Sequence, residues 1–295
     1  MQRGLPQWLG IGLLSVCWST ASLGLEVNVD QFTVTRDSSI LFNDTFDDNA
    51  PPPSAPNFVT GLAASYAVFG TIPAGAESGG LLHIDSANGA LSGNALEAPR
   101  LVVNATLVTG GATNLGIGNV LELSGTFGLT IPTGPLYSGY GVRFSDAASG
   151  VTHQLAQIQV QYGEALAQPR ISYIFQDFDT SSLVTLGNVP LAAPAGADQI
   201  RLTVTRPSAS NNNFFASFSY LSGGLIVGGG AFDAPAALFQ GESFVRAQFF
   251  TAEAIATPVP EPEIFVLMTV GAGFAFVARR RTARVRAAAS LQPAR

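Results

Sequence analysis

The chain has 295 residues, 47% of them hydrophobic and only 12% charged, which is ample apolar material for one large or two ordinary domains. All 14 basic residues are arginine, which excludes the chemistry that needs a lysine: the phosphate lysine of a Walker loop, Schiff bases and the Ser-x-x-Lys nucleophile pair. Between Leu25 and Thr257 stand 18 acidic residues against seven arginines, a formal charge of −11, and such a body is a poor match to nucleic acid, whose affinity comes largely from neutralised phosphates.

The N-terminus reads Met1-Gln2-Arg3-Gly4 and then "LPQWLGIGLLSVCWSTASLG". A short basic start, an apolar middle and small residues from Ala21 to Gly24 describe a secretory signal peptide over residues 1–24, cleaved after Ala21 or Gly24. A buried first helix is the competing reading. Cys17, the single cysteine, lies in this run. "LSVC" also suggests a lipoprotein box, to which the bulky Val16 is a poor match. Once the leader is removed, no cysteine is left for a disulfide, a thiolate zinc site or a thiol nucleophile.

From residue 25 to 257 turn residues punctuate the chain every 8 to 12 residues, and alternation of period two runs between them. "QIRLTVTR" places Ile200, Leu202 and Val204 on one face; "QIQVQY" places Ile158, Val160 and Tyr162 against Gln157, Gln159 and Gln161; "FFASFSY" groups Phe214, Ala216, Phe218 and Tyr220. Similar segments lie at 26–35, 101–108, 120–131, 140–146, 171–178 and 244–250. These patterns predict half-buried strands, and no long amphipathic helix or fixed repeat interrupts them. The fold class expected is all-β, a two-sheet antiparallel β-sandwich in one domain.

Chemistry-bearing residues are sparse. "NDTFDDN" gathers Asn43, Asp44, Asp47, Asp48 and Asn49, hard oxygen ligands of the type calcium takes, without the glycine and distal glutamate of an EF-hand. The alternative is a solvated strand end in which Asp47 and Asp48 hold the following turn. "QDFDT" offers Asp177 and Asp179 on one face of a strand. Glu122 and Glu164 stand alone, so the paired carboxylates of a glycosidase are missing. His83 and His153 are isolated, and neither His-Glu-x-x-His nor Gly-x-Ser-x-Gly occurs. For sugar binding the best residues are Tyr137 and Tyr140 in "LYSGYG", with Asn211, Asn212 and Asn213 as amide donors; turn chemistry and a core tyrosine explain the same residues. No cofactor is implied, and calcium is the one ion with candidate ligands: Asp44, Asp47 and Asp48.

Phe42-Asn43-Asp44-Thr45-Phe46, followed late in the body by "DQIRLTVTR" and "FFASFSYLSGG", resembles the concanavalin-A-like or laminin-G-like jelly roll. That family opens on a strand with Phe-x-Asp-x-Phe and closes on a charged-apolar strand, a Tyr-Ser-like face and a Gly-Gly turn. The resemblance implies a jelly-roll topology.

Residues 258–295 contain Val259-Pro260-Glu261-Pro262, an uncharged run of 15 residues from Ile264 to Ala278, and then Arg279-Arg280-Arg281. As a transmembrane helix the run would be about 22 Å long against a hydrocarbon core of about 30 Å, short unless flanking residues extend it. Arginines at its end favour the cytoplasmic side, so the body would lie outside, in agreement with the leader. Two prolines within three residues keep the chain upstream extended. This three-part C-terminus resembles a PEP-CTERM sorting signal, with two departures: the run is short, and 14 residues follow Arg281. The resemblance implies export by a Gram-negative bacterium that makes extracellular polysaccharide. It implies transient anchoring in the inner membrane and processing at Pro-Glu-Pro by exosortase, a membrane-embedded cysteine transpeptidase. The destination would be the cell surface or matrix. The function expected is a non-enzymatic structural or adhesive protein of the exopolysaccharide or biofilm. The alternatives are a calcium-assisted carbohydrate-binding module and, less supported, a secreted glycan hydrolase. An ordinary membrane anchor on a proline-rich stalk is the competing reading of the tail.

Overall fold

The computed structural model describes residues 25–53, 64–88, 100–107, 119–132, 137–148, 151–163, 166–238 and 245–253. The chain divides into two compact units, Met1–Ala254 and Ile255–Arg295, of which the second lies outside the described residues. So do residues 1–24, where a leader is expected, Pro260-Glu261-Pro262, the run 264–278 and Arg279 to Arg281. In chain order the strands are β1 (Glu26–Arg36), β2 (Ser39–Asp44), β3 (Ala64–Phe69), β4 (Glu77–Ser78), β5 (Leu81–Asp85), β6 (Arg100–Leu107), β7 (Leu121–Gly128) and β8 (Ser138–Ala148). They continue with β9 (Val151–Tyr162), β10 (Arg170–Asp177), β11 (Ser182–Pro190), β12 (Gln199–Arg206), β13 (Asn213–Ser222), β14 (Leu225–Ala237) and β15 (Val245–Glu253).

These strands form two antiparallel sheets packed as a β-sandwich. One runs β14-β13-β12-β7-β1-β5-β4, with β2 pairing with β1 beside β5; the other runs β11-β10-β9-β8-β15-β6-β3. β1 is long enough to hold two partners on one side: its first half pairs with β5 from Glu26 to Val29, and its second half with β2 from Phe32 to Arg36. Alternation sets which face meets the other sheet. In β12 Ile200, Leu202 and Val204 are fully buried while Gln199, Arg201 and Thr203 are half-buried on the opposite face. Phe214, Ala216, Phe218 and Tyr220 of β13 do the same. The Tyr173 hydroxyl crosses between the sheets and donates to the Phe214 carbonyl at 2.7 Å. The interior is thus one apolar layer between two sheets, with aromatic rings supplying much of its volume.

Three hairpins close through two residues that both have positive φ, the type I′ geometry whose twist matches the flanking strands. They are Gly79-Gly80, Gly223-Gly224 and, without glycine, Asp37-Ser38 at φ 50 and 65. Asp37 is fixed there by its carboxylate, which accepts from the Val120 amide at 2.9 Å and from Asn119 Nδ2 at 2.6 Å. The turn between β1 and β2 is therefore tied to the entry of β7. Beside it lies the fully buried Arg206, whose guanidinium donates to the Asn119 carbonyl and stacks over Phe214 at 6.0 Å.

The outward face of the second sheet departs from the polar, solvated surface that alternation predicts. Gln157, Gln159, Ser172, Arg143, Ser145 and Gln248 are all buried. Their amides run along β9, Gln157 donating to Gln159 and Gln159 to Gln161, and on to the Ser172 hydroxyl at 2.7 Å. Arg143 donates to Gln248 at 2.6 Å and lies over the Phe250 ring. Buried polar groups need hydrogen-bond partners, and glutamines spaced two apart on a strand supply them to each other. Gly141 sits in this layer because a Cβ there would collide with the Ile158 carbonyl oxygen.

Two substitutions test this architecture. Ser38→Gly relieves a positive φ without touching Asp37 and raises unfolding stability by about 1 kcal/mol in urea titration. Gly141→Ala lowers it by roughly 1–3 kcal/mol in the same measurement, because the strand spacing must give way.

Candidate functional site

The densest group of carboxylates lies where the chain leaves β2. Phe42, Asp44 and Phe46 occupy successive inward positions, all buried. Asp44 is tolerated there because both oxygens are satisfied: one accepts from the Phe46 amide at 2.9 Å and the other from the Tyr66 hydroxyl of β3 at 2.7 Å. Burial pushes its pKa up against those two hydrogen bonds. Phe46 takes a positive φ of 50, which turns the chain, and Asn49 takes another at 57. Asp47 and Asp48 face solvent on the turn so formed, and the Asp48 carboxylate accepts from the Ala50 amide at 3.0 Å.

Glu77 of β4 completes this group. It is only 2% exposed, and its Oε1 accepts from the Asp48 amide at 3.1 Å. Burial, then a side-chain hydrogen bond with the Asp48 carboxyl and the charge of that carboxyl, push the Glu77 carboxyl up to about 7, against the lowering effect of the Ala50 amide. Sequence reasoning did not bring Glu77 to the cluster, since 28 residues separate it from Asn49 and a lone Glu before a Gly-Gly turn carries no signal. The expected trio of calcium ligands does not converge. Asp44 is turned inward and held by Tyr66, and among the described residues no group of three or more His, Cys, Asp or Glu side chains is placed to hold a metal.

The other candidates fall in separate places. Tyr140 is fully buried, packs on Phe127 at 5.2 Å and donates to the Thr130 carbonyl at 2.9 Å, so it belongs to the core and not to an open loop. Tyr137 is half-buried on the outer face of the second sheet, against Phe250 and Ala252, and donates to Gln159 at 2.8 Å. Asn211 and Asn212 lie in the turn before β13 and Asn213 opens that strand; the Asn211 side chain accepts from the Asn213 amide at 3.1 Å. The structure does not bring these amides and tyrosines together. Asp177 ends β10 and Asp179 lies in the following turn, so the two do not share a strand face; the Asp177 carboxylate accepts from the Asp179 and Thr180 amides and caps that turn. Glu164 and the side chain of His153 lie outside the described residues. His83 bridges Asn28 at 2.6 Å and Ser78 at 3.3 Å on the outer face of the first sheet. No protein-family model, curated protein or solved structure matches the chain. Among the described residues no helix is long and apolar enough to cross a membrane.

The raised Glu77 value has a definite sign in stability. The folded chain keeps the proton up to about pH 7, whereas the unfolded chain loses it near 4.5. The folded state therefore binds more protons between these values, and stability falls as pH rises through that window. In metal-free buffer, unfolding free energy is expected to drop by about 3 kcal/mol between pH 4 and pH 8 on this account. Glu77→Gln, which imitates the protonated carboxyl, flattens that slope and is the more stable protein at pH 8; denaturant titrations across the range check it.

Proposed function

We propose that this chain is an exported, non-enzymatic β-sandwich protein that exosortase sorts to the cell surface or extracellular matrix, with a structural or adhesive role in exopolysaccharide. The observation that carries the reading is the C-terminal arrangement of Val259-Pro260-Glu261-Pro262, an apolar run and Arg279-Arg280-Arg281, matched in topology by the N-terminal leader. The body supports it. Every described strand lies between Glu26 and Glu253, and the two ends of the body meet at Ser86, whose hydroxyl accepts from the Leu25 amide at 2.7 Å and donates to Glu253 at 3.0 Å. Removal of the flanking segments on either side takes away no described strand.

In this reading the leader carries the chain across the inner membrane, and the C-terminal run holds it there with its arginines on the cytoplasmic side. Pro260 and Pro262 keep the recognition site extended at the outer boundary, where a protease-like active site can bind it. Cleavage near Pro260–Pro262 then frees or transfers the body. The finer topology we assign is the concanavalin-A-like jelly roll: the first and last residues of Phe-x-Asp-x-Phe fill the core, and β12 and β13 lead into the Gly223-Gly224 hairpin.

Mass spectrometry of the exported protein tests the reading. The mature C-terminus is expected near Pro260 to Pro262, and Pro260→Ala with Pro262→Ala is expected to leave the chain uncut in the membrane fraction. A mature wild-type protein that extends to Arg295 overturns the sorting assignment.

A further inference from the structure

Glu77 poses a problem of charge that the described residues around it leave open. The side chain is buried, one carboxylate oxygen accepts from the Asp48 amide, and the other, Oε2, is buried and receives no N–H or O–H from the described residues; its carboxyl can bond the Asp48 side chain only while one of the two is protonated. Its charged neighbours are Asp48 and Asp44. Among the described residues neither Glu77 nor Asp48 is ion-paired to an arginine, and the chain has no lysine. A buried carboxylate oxygen without a partner costs about 1–3 kcal/mol or more, and a second carboxylate beside it adds to that cost. A bound cation removes both terms.

We propose that Glu77 and Asp48 together hold one calcium ion, which clamps the turn at residues 44–50 onto β4. The donor set fits a hard cation: two carboxylates from distant parts of the chain, one with a buried oxygen still open, the other at the solvent face where an ion can enter. Calcium fits better than magnesium. It accepts irregular geometry and fills its remaining positions with main-chain carbonyls and water, whereas magnesium requires a near-octahedral set. Asp44 is not a ligand, because Tyr66 and the Phe46 amide occupy its oxygens. The site thus differs from a calcium site built on the aspartates of the turn alone: the residue that commits it is Glu77.

The consequence is mechanical. Phe46 stands between Asp44 and Asp48 and inserts its ring into the core, 6.0 Å from Phe249. An ion joining Asp48 to β4 holds that ring in place, so calcium would stabilise the whole sandwich and not only the turn.

The test uses the full-length protein, stripped with EGTA and titrated with calcium chloride at pH 8. Calorimetry is expected to give one site with a Kd between about 10⁻⁵ and 10⁻³ M, accompanied by a rise in Tm over the EGTA sample. Glu77→Gln and Asp48→Asn are each expected to weaken binding at least tenfold and to remove the Tm rise. Asp47→Ala is expected to keep both. Absence of calcium heat in the wild type overturns the proposal, and so does binding that survives Glu77→Gln and Asp48→Asn unchanged. Asp48→Asn alters an exposed side chain, so it reports on binding even where Glu77→Gln perturbs folding.

Discussion

Phe249 of β15 is the ring on which the rest of the sandwich converges. Its centroid lies 4.8 Å from Phe32 of β1, 6.0 Å from Phe46 and 6.2 Å from Tyr66 of β3; Phe42 of β2 closes the group at 5.4 Å from Phe32 and 5.0 Å from Tyr66. These residues come from the first three strands and the last, and from both sheets. The sandwich therefore cannot close until its two ends have met. That is a non-local contact of high loop-closure cost, and it makes a slowly folding, highly cooperative body. The only cysteine is Cys17, outside the described strands, so this packing joins the two ends of the sandwich without a disulfide.

The acidic site is a consequence of that cluster. To deliver Phe46 to Phe249, the backbone turns through a positive φ, a conformation that costs a non-glycine residue about 1–3 kcal/mol and persists only where packing holds it. The same turn carries Asp44 inward, where the Tyr66 hydroxyl must meet it, and throws Asp48 back over Glu77. Buried carboxylates here are the price of placing an aromatic ring at a strand end. Tyr66 thereby has two roles, as a ring in the core and as the donor that makes Asp44 tolerable.

The inner faces were legible from alternation alone: Ile200, Leu202 and Val204, or Phe214, Ala216, Phe218 and Tyr220, all lie where period two puts them. Strands with both faces alike were not. β9 reads as apolar against glutamine, yet Gln157 and Gln159 are as buried as Ile158. Composition gives no sign of it, because the amide ladder is satisfied only when the neighbouring strands are in register. β11 and β14 fail for the opposite reason. Both are mostly exposed edge strands, so neither shows an alternation; Leu183, Leu225 and Ile226 are 64%, 74% and 65% exposed. β14 is also broken by register shifts opposite Tyr220–Leu221 and Phe214–Ala216 and carries Pro235, features that keep an edge from templating further strands. Within the site, Asp44, Asp47 and Asp48 could be found as a run, but their division into one inward and two outward carboxylates depends on Phe46, and Glu77 is brought in only by the tertiary fold.

In the proposed reading, body and address obey different physics. A sorting signal of this kind would be read as extended backbone, apolar length and terminal charge, none of which needs a particular fold upstream. The body needs only that both of its ends emerge together, and Ser86 arranges this by binding Leu25 and Glu253 at once. On the proposed reading, such a chain could change what its sandwich binds without changing where it is sent. The residues that decide its work must therefore be sought on the sandwich, and there the most chemically committed position is the buried carboxyl of Glu77: it lies beside other carboxyls, and among the described residues no positive side chain pairs with it.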